Sequence, residues 1–154
     1  MSEQAFRYEP AKDHPGWFTW NLTDQTRFNA QTMGQMLTRI EEGVDGIRRS
    51  RLRMFPERRH SNLLEAVHGG VTLALIDISL FAAMRTLLSG DAAGSVTLDL
   101  STQFIGAGRV GEPLDAVVEV LRETGRLVFL RGLVEQGSDT VAAFNGTIRK
   151  PTRR

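Results

Sequence analysis

Residues 71–88 form the longest apolar segment of this chain, and they limit most strongly what it can fold into. The segment is too long for an ordinary strand, and it contains no glycine or proline. A helix built from it is apolar on nearly every side, which predicts a helix buried among other elements. Its length just reaches the lower limit for a membrane span, which is ~17 residues. Asp77 near its middle and Arg85 argue against such a span.

The segments on either side of this predicted helix carry the patterns of strands and turns. Asp24 is a candidate N-cap for a short helix over residues 26–33, which Gly34 ends. Alternating or β-rich patterns predict strands over residues 35–41, 47–54, 96–104, 113–123, 127–136 and 140–150. Asp45-Gly46 predicts a hairpin between the first two of these strands. Runs of strands kept apart from one long helix predict an α+β fold, in which a curved antiparallel sheet wraps the helix.

Length and composition indicate one globular domain. The chain has 154 residues, which is typical of a single domain. Residues 1–22 are expected to form an irregular, loosely attached arm, and residues 23–154 the domain itself. A net charge of +1 predicts neither nucleic acid nor an acidic membrane as the main partner. Because the first residues show no apolar leader, a cytoplasmic location is expected.

The composition also restricts the chemistry. The chain has no cysteine, which excludes a thiolate nucleophile and a disulfide framework. Its three histidines lack the spacing of a metal site, so no metal is expected. Arginine provides 17 of the 19 basic residues, and six of these arginines lie within residues 48–60 against one acid, Glu57. Such a stretch suits phosphate recognition, and a solvated strand face is the alternative interpretation.

Asp77 is the residue that most clearly indicates a site. Its helical neighbours at positions −4, −3, +3 and +4 are all apolar: Leu73, Ala74, Leu80 and Phe81. Burying an unpaired carboxylate there would be costly. Asp77 is therefore paired with another side chain such as an arginine, placed at an interface, or kept as a general base or nucleophile.

A second candidate group stands at the start of the same helix. His68-Gly69-Gly70 precedes the apolar segment, and Asn62 lies six residues before His68. Backbone N–H groups in a first helical turn lack intrahelical partners and can polarise a carbonyl. The alternative is a tight turn in which His68 is only a capping or packed residue.

Together these residues resemble a known family. Asn62, His68-Gly69-Gly70, Asp77 and the strand that contains Thr97 resemble the hotdog-fold acyl-CoA thioesterases of the phenylacetic-acid-degradation type. These enzymes belong to the 4-hydroxybenzoyl-CoA thioesterase superfamily. The resemblance runs from about residue 28 to residue 148, and it implies a hotdog fold, in which a long central helix is wrapped by a curved antiparallel sheet.

The resemblance also implies roles in catalysis. The Asp77 carboxylate would act as base or nucleophile at the thioester carbonyl, which the backbone N–H of Gly69 or Gly70 would polarise. Asn62 would orient the attacking water or the substrate. The expected reaction is hydrolysis of an aromatic or medium-chain acyl-CoA without a cofactor.

Three further implications concern the surroundings of the site. His68 would help to hold the loop and the thioester, and Thr97 would bond near the carboxylate. The site would lie between two subunits of a dimer, which is often doubled to a tetramer. Coenzyme A phosphates would meet arginines of the 48–59 stretch, Arg58 and Arg59 among them, or Arg149-Lys150 near the end of the chain.

The sequence departs from the family pattern at two places. Glu65 stands where the family often has glycine, three residues after Asn62, and it is counted among the substrate-binding candidates and as a second possible base. Residues 105–108 replace the family's Arg-Pro pair.

Residues 106–111 match G-x-G-x-x-G, but a strand-like run follows them, which predicts a loop rather than a dinucleotide site. A non-catalytic acyl-CoA-binding module and an enoyl-thioester hydratase remain the alternatives.

Overall fold

A computed structural model of the protein describes residues 5–89 and 92–152. The apolar segment forms one helix, α1, over Gly69–Leu87. It begins two residues before the predicted start. His68 is the N-cap residue, so Gly69 and Gly70 belong to the first turn. The helix is long and apolar enough to cross a membrane by length and composition alone. Here it lies against the sheet instead, with Leu75, Ile76 and Leu80 inaccessible to solvent.

Nine strands lie within the described residues. In chain order they are β1 Phe6–Arg7, β2 Phe18–Thr19, β3 Asn21–Leu22, β4 Met36–Glu42, β5 Arg48–Met54, β6 Val96–Phe104, β7 Leu114–Glu123, β8 Leu127–Gln136 and β9 Asp139–Arg149. Seven of them form one antiparallel sheet in the order β2-β4-β5-β7-β8-β9-β6, and β1 pairs with β3. Since α1 contacts every strand from β4 to β9, the sheet wraps the helix. The predicted α+β hotdog architecture is confirmed.

The two faces of the sheet differ in chemistry. On β5, Ser50, Leu52 and Met54 are buried, while the alternate arginines lie only partly buried on the other face. The β4–β5 hairpin has the predicted turn, in which the Asp45 carboxylate accepts a 3.0 Å hydrogen bond from the backbone N–H of Ile47. The period-2 pattern therefore places the core on one face and charged side chains on the other.

The amino-terminal segment differs from expectation. Within residues 5–22, Trp20 is 2% exposed and packs in the core beside Phe6, with ring centroids 4.9 Å apart. Trp17 lies on the other face, between the guanidinium groups of Arg39 and Arg53, at 4.4 and 4.5 Å from its ring. The expectation of a loosely attached arm is wrong for these residues, because two tryptophans anchor them on opposite faces of the sheet.

The predicted short helix over residues 26–33 is also corrected. Residues Asn29–Met33 form a single π-helical turn, which ends before Gly34. Two side chains of the following segment bond its carbonyls: Arg59 donates to the carbonyl of Gln31 at 2.6 Å, and His60 Nε2 lies 2.6 Å from the carbonyl of Thr32. These tertiary contacts favour a wide turn over the regular helix.

Candidate active site at the start of the long helix

His68 organises the first turn of α1. Its Nδ1 accepts a 2.8 Å hydrogen bond from the N–H of Gly70, and its carbonyl accepts from the N–H of Val71 at 2.9 Å. Because Nδ1 is the acceptor, the ring carries its proton on Nε2. Of the two glycine N–H groups proposed to polarise a carbonyl, that of Gly70 is thus occupied. The N–H of Gly69 has no partner within the described residues, and it lies at the positive end of the helix.

Gly69 lies against the end of strand β6. A Cβ atom added at Gly69 would lie 3.5 Å from the ring of Phe104, which is an ordinary contact distance. A Cβ at Gly70 would lie 3.0 Å from His68 Nδ1 and would press on the cap. A substitution at Gly69 therefore disturbs the packing at the helix start less than a substitution at Gly70 does. The sequence did not indicate Phe104 as a site residue. The one feature that could have done so is its position directly before the glycine-rich loop.

Asn62 builds the loop before the helix. Its side-chain oxygen accepts hydrogen bonds from the N–H groups of Leu64 at 2.9 Å and Ala66 at 3.2 Å, and its own N–H donates to the Ala66 carbonyl. The amide nitrogen has no partner within the described residues. Asn62 and His68 share the lining of an open cavity of about 690 Å³. The structure therefore brings these two predicted site residues together.

Glu65 explains why glycine is common at its position in the family. Its φ is +58°, in the left-handed region that glycine adopts at no steric cost. Its N–H donates to the carbonyl of Asn62 and closes the turn. The carboxylate lies 3.2 Å from Arg58, and both side chains are exposed. Glu65 and Arg58 both line the open cavity that also contains Asn62 and His68.

Asp77 is bonded to the edge strand of the sheet. The hydroxyl of Thr97 donates a 2.7 Å hydrogen bond to Asp77 Oδ1. Within residues 5–89 and 92–152, Asp77 forms no ion pair, so the arginine partner considered from the sequence is not found. The β6–β9 register shifts between Thr97 and Asp99, and such an irregularity can re-aim a side chain. The carboxylate is half-buried on its apolar helix.

The two halves of the site lie apart in one chain. Gly69 and Asp77 are eight residues apart on α1, which corresponds to about 12 Å along the helix axis. A thioester carbonyl must lie about 3 Å from the N–H that polarises it. Along the helix axis, the backbone of Gly69 and that of Asp77 in one chain are thus about four times farther apart than one such hydrogen bond spans.

The arginine-rich stretch is largely neutralised by acids. Arg51 pairs with Glu41, Asp115 and Glu135 on the outer face of the sheet. Burial alone would lower the pKa of Arg51, but the hydrogen bonds that Arg51 donates to the carboxylates of Glu41 and Asp115 raise it above its ordinary value. Arg53 bonds Asp115 as well. These arginines form the solvated, charged strand face that was the alternative interpretation.

Arg59 is also engaged by the protein. It bonds the Gln31 carbonyl at 2.6 Å and Glu57 at 3.2 Å. Its guanidinium therefore ties the loop to the π-helical turn, and its contact with substrate stays a prediction.

A separate basic cluster has fewer acidic partners. Arg126, Leu127, Arg149, Lys150 and Thr152 line a cavity of about 300 Å³. Lys150 pairs with Glu123 at 2.8 Å, whereas Arg126 and Arg149 have no acidic partner among the described residues. Arg149 lies opposite Val96 in the β6–β9 pair, and Val96 is the residue before Thr97. Sequence reasoning missed Arg126, which stands in a turn.

Comparison with known proteins identifies the family. A family model described as the thioesterase superfamily matches residues 64–143, more than half of the chain. The protein belongs to the thioesterase superfamily. The matched region contains His68-Gly69-Gly70, Asp77 and Thr97, and it ends within β9.

Curated relatives and solved structures agree with this family. Acyl-coenzyme A thioesterase 13 of Mus musculus is 31% identical over 73 residues, which are 47% of this chain and 51% of that protein. The human protein of the same name is 27% identical over 73 residues, with the same shares covered. The chain thus spans about half the length of the curated relatives it matches.

The solved structures share the fold of this thioesterase-superfamily protein. Zebrafish thioesterase superfamily member 2 has a TM-score of 0.68 at 20% identity, covering 83% of this chain and 89% of that one. The E. coli PaaI protein from the phenylacetic acid degradation operon has a TM-score of 0.64 at 19% identity, covering 83% and 87%.

Proposed function

We propose that the protein hydrolyses acyl-CoA thioesters to a carboxylic acid and coenzyme A. Membership of the thioesterase superfamily supports this activity, as do the names of the curated relatives. The observation that carries the proposal is the Asp77 carboxylate, half-buried on an apolar helix and bonded to the Thr97 hydroxyl. A positioned carboxylate of this kind can take a proton from water.

The reaction follows from these groups. The Gly69 N–H donates to the thioester oxygen and stabilises the negative charge that develops there. Asp77 removes a proton from water while the water oxygen bonds to the carbonyl carbon. The carbon–sulfur bond then breaks, and the coenzyme A thiolate leaves and takes up a proton. The free amide nitrogen of Asn62 orients the water or the substrate. In the alternative route Asp77 attacks the carbonyl itself, and water then hydrolyses the anhydride.

We propose that two copies of the chain build each site, so that Gly69 comes from one copy and Asp77 from the other. The separation of about 12 Å along one helix supports this arrangement. Exposed apolar side chains also support it. Among the described strands β6 pairs with β9 alone, and it exposes Val96, Leu98 and Phe104 at the edge of the sheet. The assembly is a dimer, with a tetramer as its doubled form.

Mixed dimers test the shared site. Gly69 is the first helical residue, where proline fits the backbone and removes only the unpaired N–H. Gly69→Pro and Asp77→Asn are each expected to abolish most activity. In a co-expressed equal mixture, half of the dimers are mixed and each contains one intact site, so about a quarter of the parent activity returns. If the mixture stays inactive although mixed dimers form, the site is not shared.

The activity itself is tested by Asp77→Asn. Asparagine keeps an oxygen that can accept the bond from Thr97, so the fold is preserved. We expect kcat/KM for acyl-CoA to fall by about 10²–10⁴-fold. Asp13→Asn, at an exposed carboxylate of the amino-terminal segment, is the matched control and should leave the rate unchanged. Equal rates in the parent and Asp77→Asn, or binding of acyl-CoA without turnover by the parent, would contradict the proposal and favour a binding module.

The acyl group proposed is aromatic or medium-chain. Leu63 and Leu64 are exposed and line the cavity beside Asn62 and His68, which supports an apolar acyl group. The ratio of kcat/KM values for phenylacetyl-CoA and hexanoyl-CoA measures the preference. A cytoplasmic location stays a prediction, which cell fractionation tests.

A further inference from the structure

The glycine-rich loop over residues 105–113 contacts the segment that leads into α1. The carbonyl of Gly108 accepts a 2.9 Å hydrogen bond from the N–H of Val67, and Arg109 pairs with Ala66 in an isolated bridge. A Cβ atom at Gly108 would lie 3.1 Å from the side chain of Val67. Glycine at this position therefore lets the loop backbone pack directly against the residue before His68.

The same segment reaches the helix start from a second side. Phe104, the last residue of β6, lies beside Gly69, and the loop begins immediately after it. The phenyl ring of Phe104 thus faces Gly69, 3.5 Å from where a Cβ atom would lie, and the backbone of Gly108 bonds Val67. The loop therefore lies on two sides of the helix start, next to Gly69, whose N–H is unpaired among the described residues, and next to Val67.

Gln136 holds the loop in place from inside the protein. It is the last residue of β8 and is 1% exposed. Its Oε1 accepts a 2.6 Å hydrogen bond from the N–H of Arg109, while Nε2 donates to the carbonyls of Arg109 at 2.8 Å and Glu112 at 3.1 Å. All three bonds join this one side chain to the loop backbone. Replacement by an apolar residue would leave three backbone groups without these partners.

The surface contacts of the loop are weaker. The guanidinium of Arg109 pairs with Glu112 at 2.9 Å and Asp139 at 2.8 Å, and all three side chains are largely exposed. Exposed ion pairs contribute little and are screened by salt. Backbone bonds also hold the loop, from the N–H groups of Ile105 and Gly106 to the Val141 carbonyl and from Gly111 to Pro56. The buried amide of Gln136 adds the three side-chain bonds at Arg109 and Glu112.

We propose that Gln136 is a positioning residue for thioester hydrolysis, which sets the place of the Gly69 N–H through the loop and Val67. This inference rests on the proposed function. Catalytic donors must be held within about 0.5 Å of their productive position, so a loosened loop lowers the rate while leaving distant substrate contacts intact. The G-x-G-x-x-G motif of residues 106–111 would thus hold the start of α1 in place rather than bind a dinucleotide.

Gln136→Met tests the proposal, because methionine has a similar length and cannot make the three bonds. We expect kcat to fall about tenfold with KM for acyl-CoA nearly unchanged. Val118→Ala, in the core of β7, is a stability control without contact to the loop. An equal loss of kcat in a Val118→Ala variant of similar melting temperature would overturn the proposal.

A double variant separates positioning from general destabilisation. In Gly69→Pro the N–H is already absent, so adding Gln136→Met should lower the residual rate no further. If the two effects multiply instead, Gln136 does not act through Gly69 and the proposal fails.

Hydrogen exchange gives a readout that needs no activity. Gln136→Met should speed exchange of the Val67 N–H, which bonds Gly108, while leaving the middle of α1 protected. Unchanged exchange at Val67 would contradict the proposal. If the parent protein hydrolyses no acyl-CoA, the proposed function fails, whereas faster exchange at Val67 would still show that Gln136 holds the helix start.

Discussion

The hydroxyl of Thr97 donates a 2.7 Å hydrogen bond to Oδ1 of Asp77 and so joins the middle of the buried helix to the edge strand of the sheet. This bond fixes the orientation of the carboxylate. Its other oxygen, Oδ2, has no partner among the residues that the structure describes. One oxygen is thus held by the protein, and the other is left for water or substrate.

Replacing Thr97 should impair catalysis with little effect on folding. Thr97→Val removes the hydroxyl and should lower kcat about tenfold, since a hydrogen bond to a charged group contributes about 1.5–3 kcal/mol. Thr97→Ser keeps the hydroxyl and should retain most activity. Thr102→Val is the matched control, because the Thr102 hydroxyl lies on the same strand and has no hydrogen-bond partner in the described part of the chain. Steady-state rates that are equal for valine and serine at position 97 would exclude this role.

The basic cluster of Arg126, Arg149 and Lys150 should contact the phosphates of coenzyme A. An Arg126→Ala/Arg149→Ala variant should raise KM for acyl-CoA about tenfold with kcat retained, which is the pattern of lost ground-state binding. KM for the matching acyl-pantetheine, which lacks the nucleotide phosphates, should not change. Arg122→Ala, exposed on β7, is the control. A similar rise in KM for both substrates would place the phosphates elsewhere.

Glu65→Gly should stabilise the protein. The left-handed φ of +58° at this residue strains a side chain, and glycine relieves about 1 kcal/mol. For a domain of this size that corresponds to an increase of about 2–4 °C in melting temperature. Glu65→Ala separates the two contributions, since alanine loses the ion pair to Arg58 but keeps the strain. If Glu65→Ala raises the melting temperature as much as Glu65→Gly does, the stabilisation comes from removing the charge of Glu65 and not from relieving backbone strain.

The ion pair of Glu41 and Arg51 should make stability depend on acid pH. The hydrogen bond from Arg51 lowers the pKa of Glu41 from its ordinary value of 4.5. Because the folded pKa is the lower one, the stabilisation is present above pH 4.5 and is lost as the pH falls through the folded value.

Glu41→Gln should therefore lower the free energy of unfolding at about pH 7, with a smaller difference from the parent at about pH 3.5. Urea unfolding at both pH values measures this. Glu42→Gln, an exposed neighbour on β4, should show no such change. A difference between Glu41→Gln and the parent that is constant with pH would rule out the linkage.

Trp17→Ala should release the amino-terminal segment. The Trp17 ring is buried between the guanidinium groups of Arg39 and Arg53, and losing a buried tryptophan costs about 3–5 kcal/mol. Thermal unfolding and limited proteolysis within residues 5–22 measure the loss. Tyr8→Ala, at a more exposed ring, should cost less. Resistance to protease equal to that of the parent would show that Trp17 does not anchor the segment.

Local patterns in the sequence were sufficient to predict α1 and strands β4 to β9. They missed β1, β2 and β3, and they predicted a regular helix where Asn29–Met33 form a π-helical turn. The unbroken apolar run predicts α1, Asp45-Gly46 predicts the β4–β5 hairpin, and the resemblance built on His68-Gly69-Gly70 and Asp77 predicts the hotdog fold. The helix and the hairpin each depend on residues that are close together in the sequence, so local patterns are enough to predict them.

Tertiary structure decided everything that joins distant segments. Thr97 lies 20 residues from Asp77, and Asp115 lies 64 residues from Arg51, whose charge it helps to neutralise. Among the residues that the structure describes, the N–H of Gly70 is bonded to the His68 ring, whereas that of Gly69 has no partner. Strand order and packing bring these groups together, and a side chain's partner depends on geometry that local patterns do not contain.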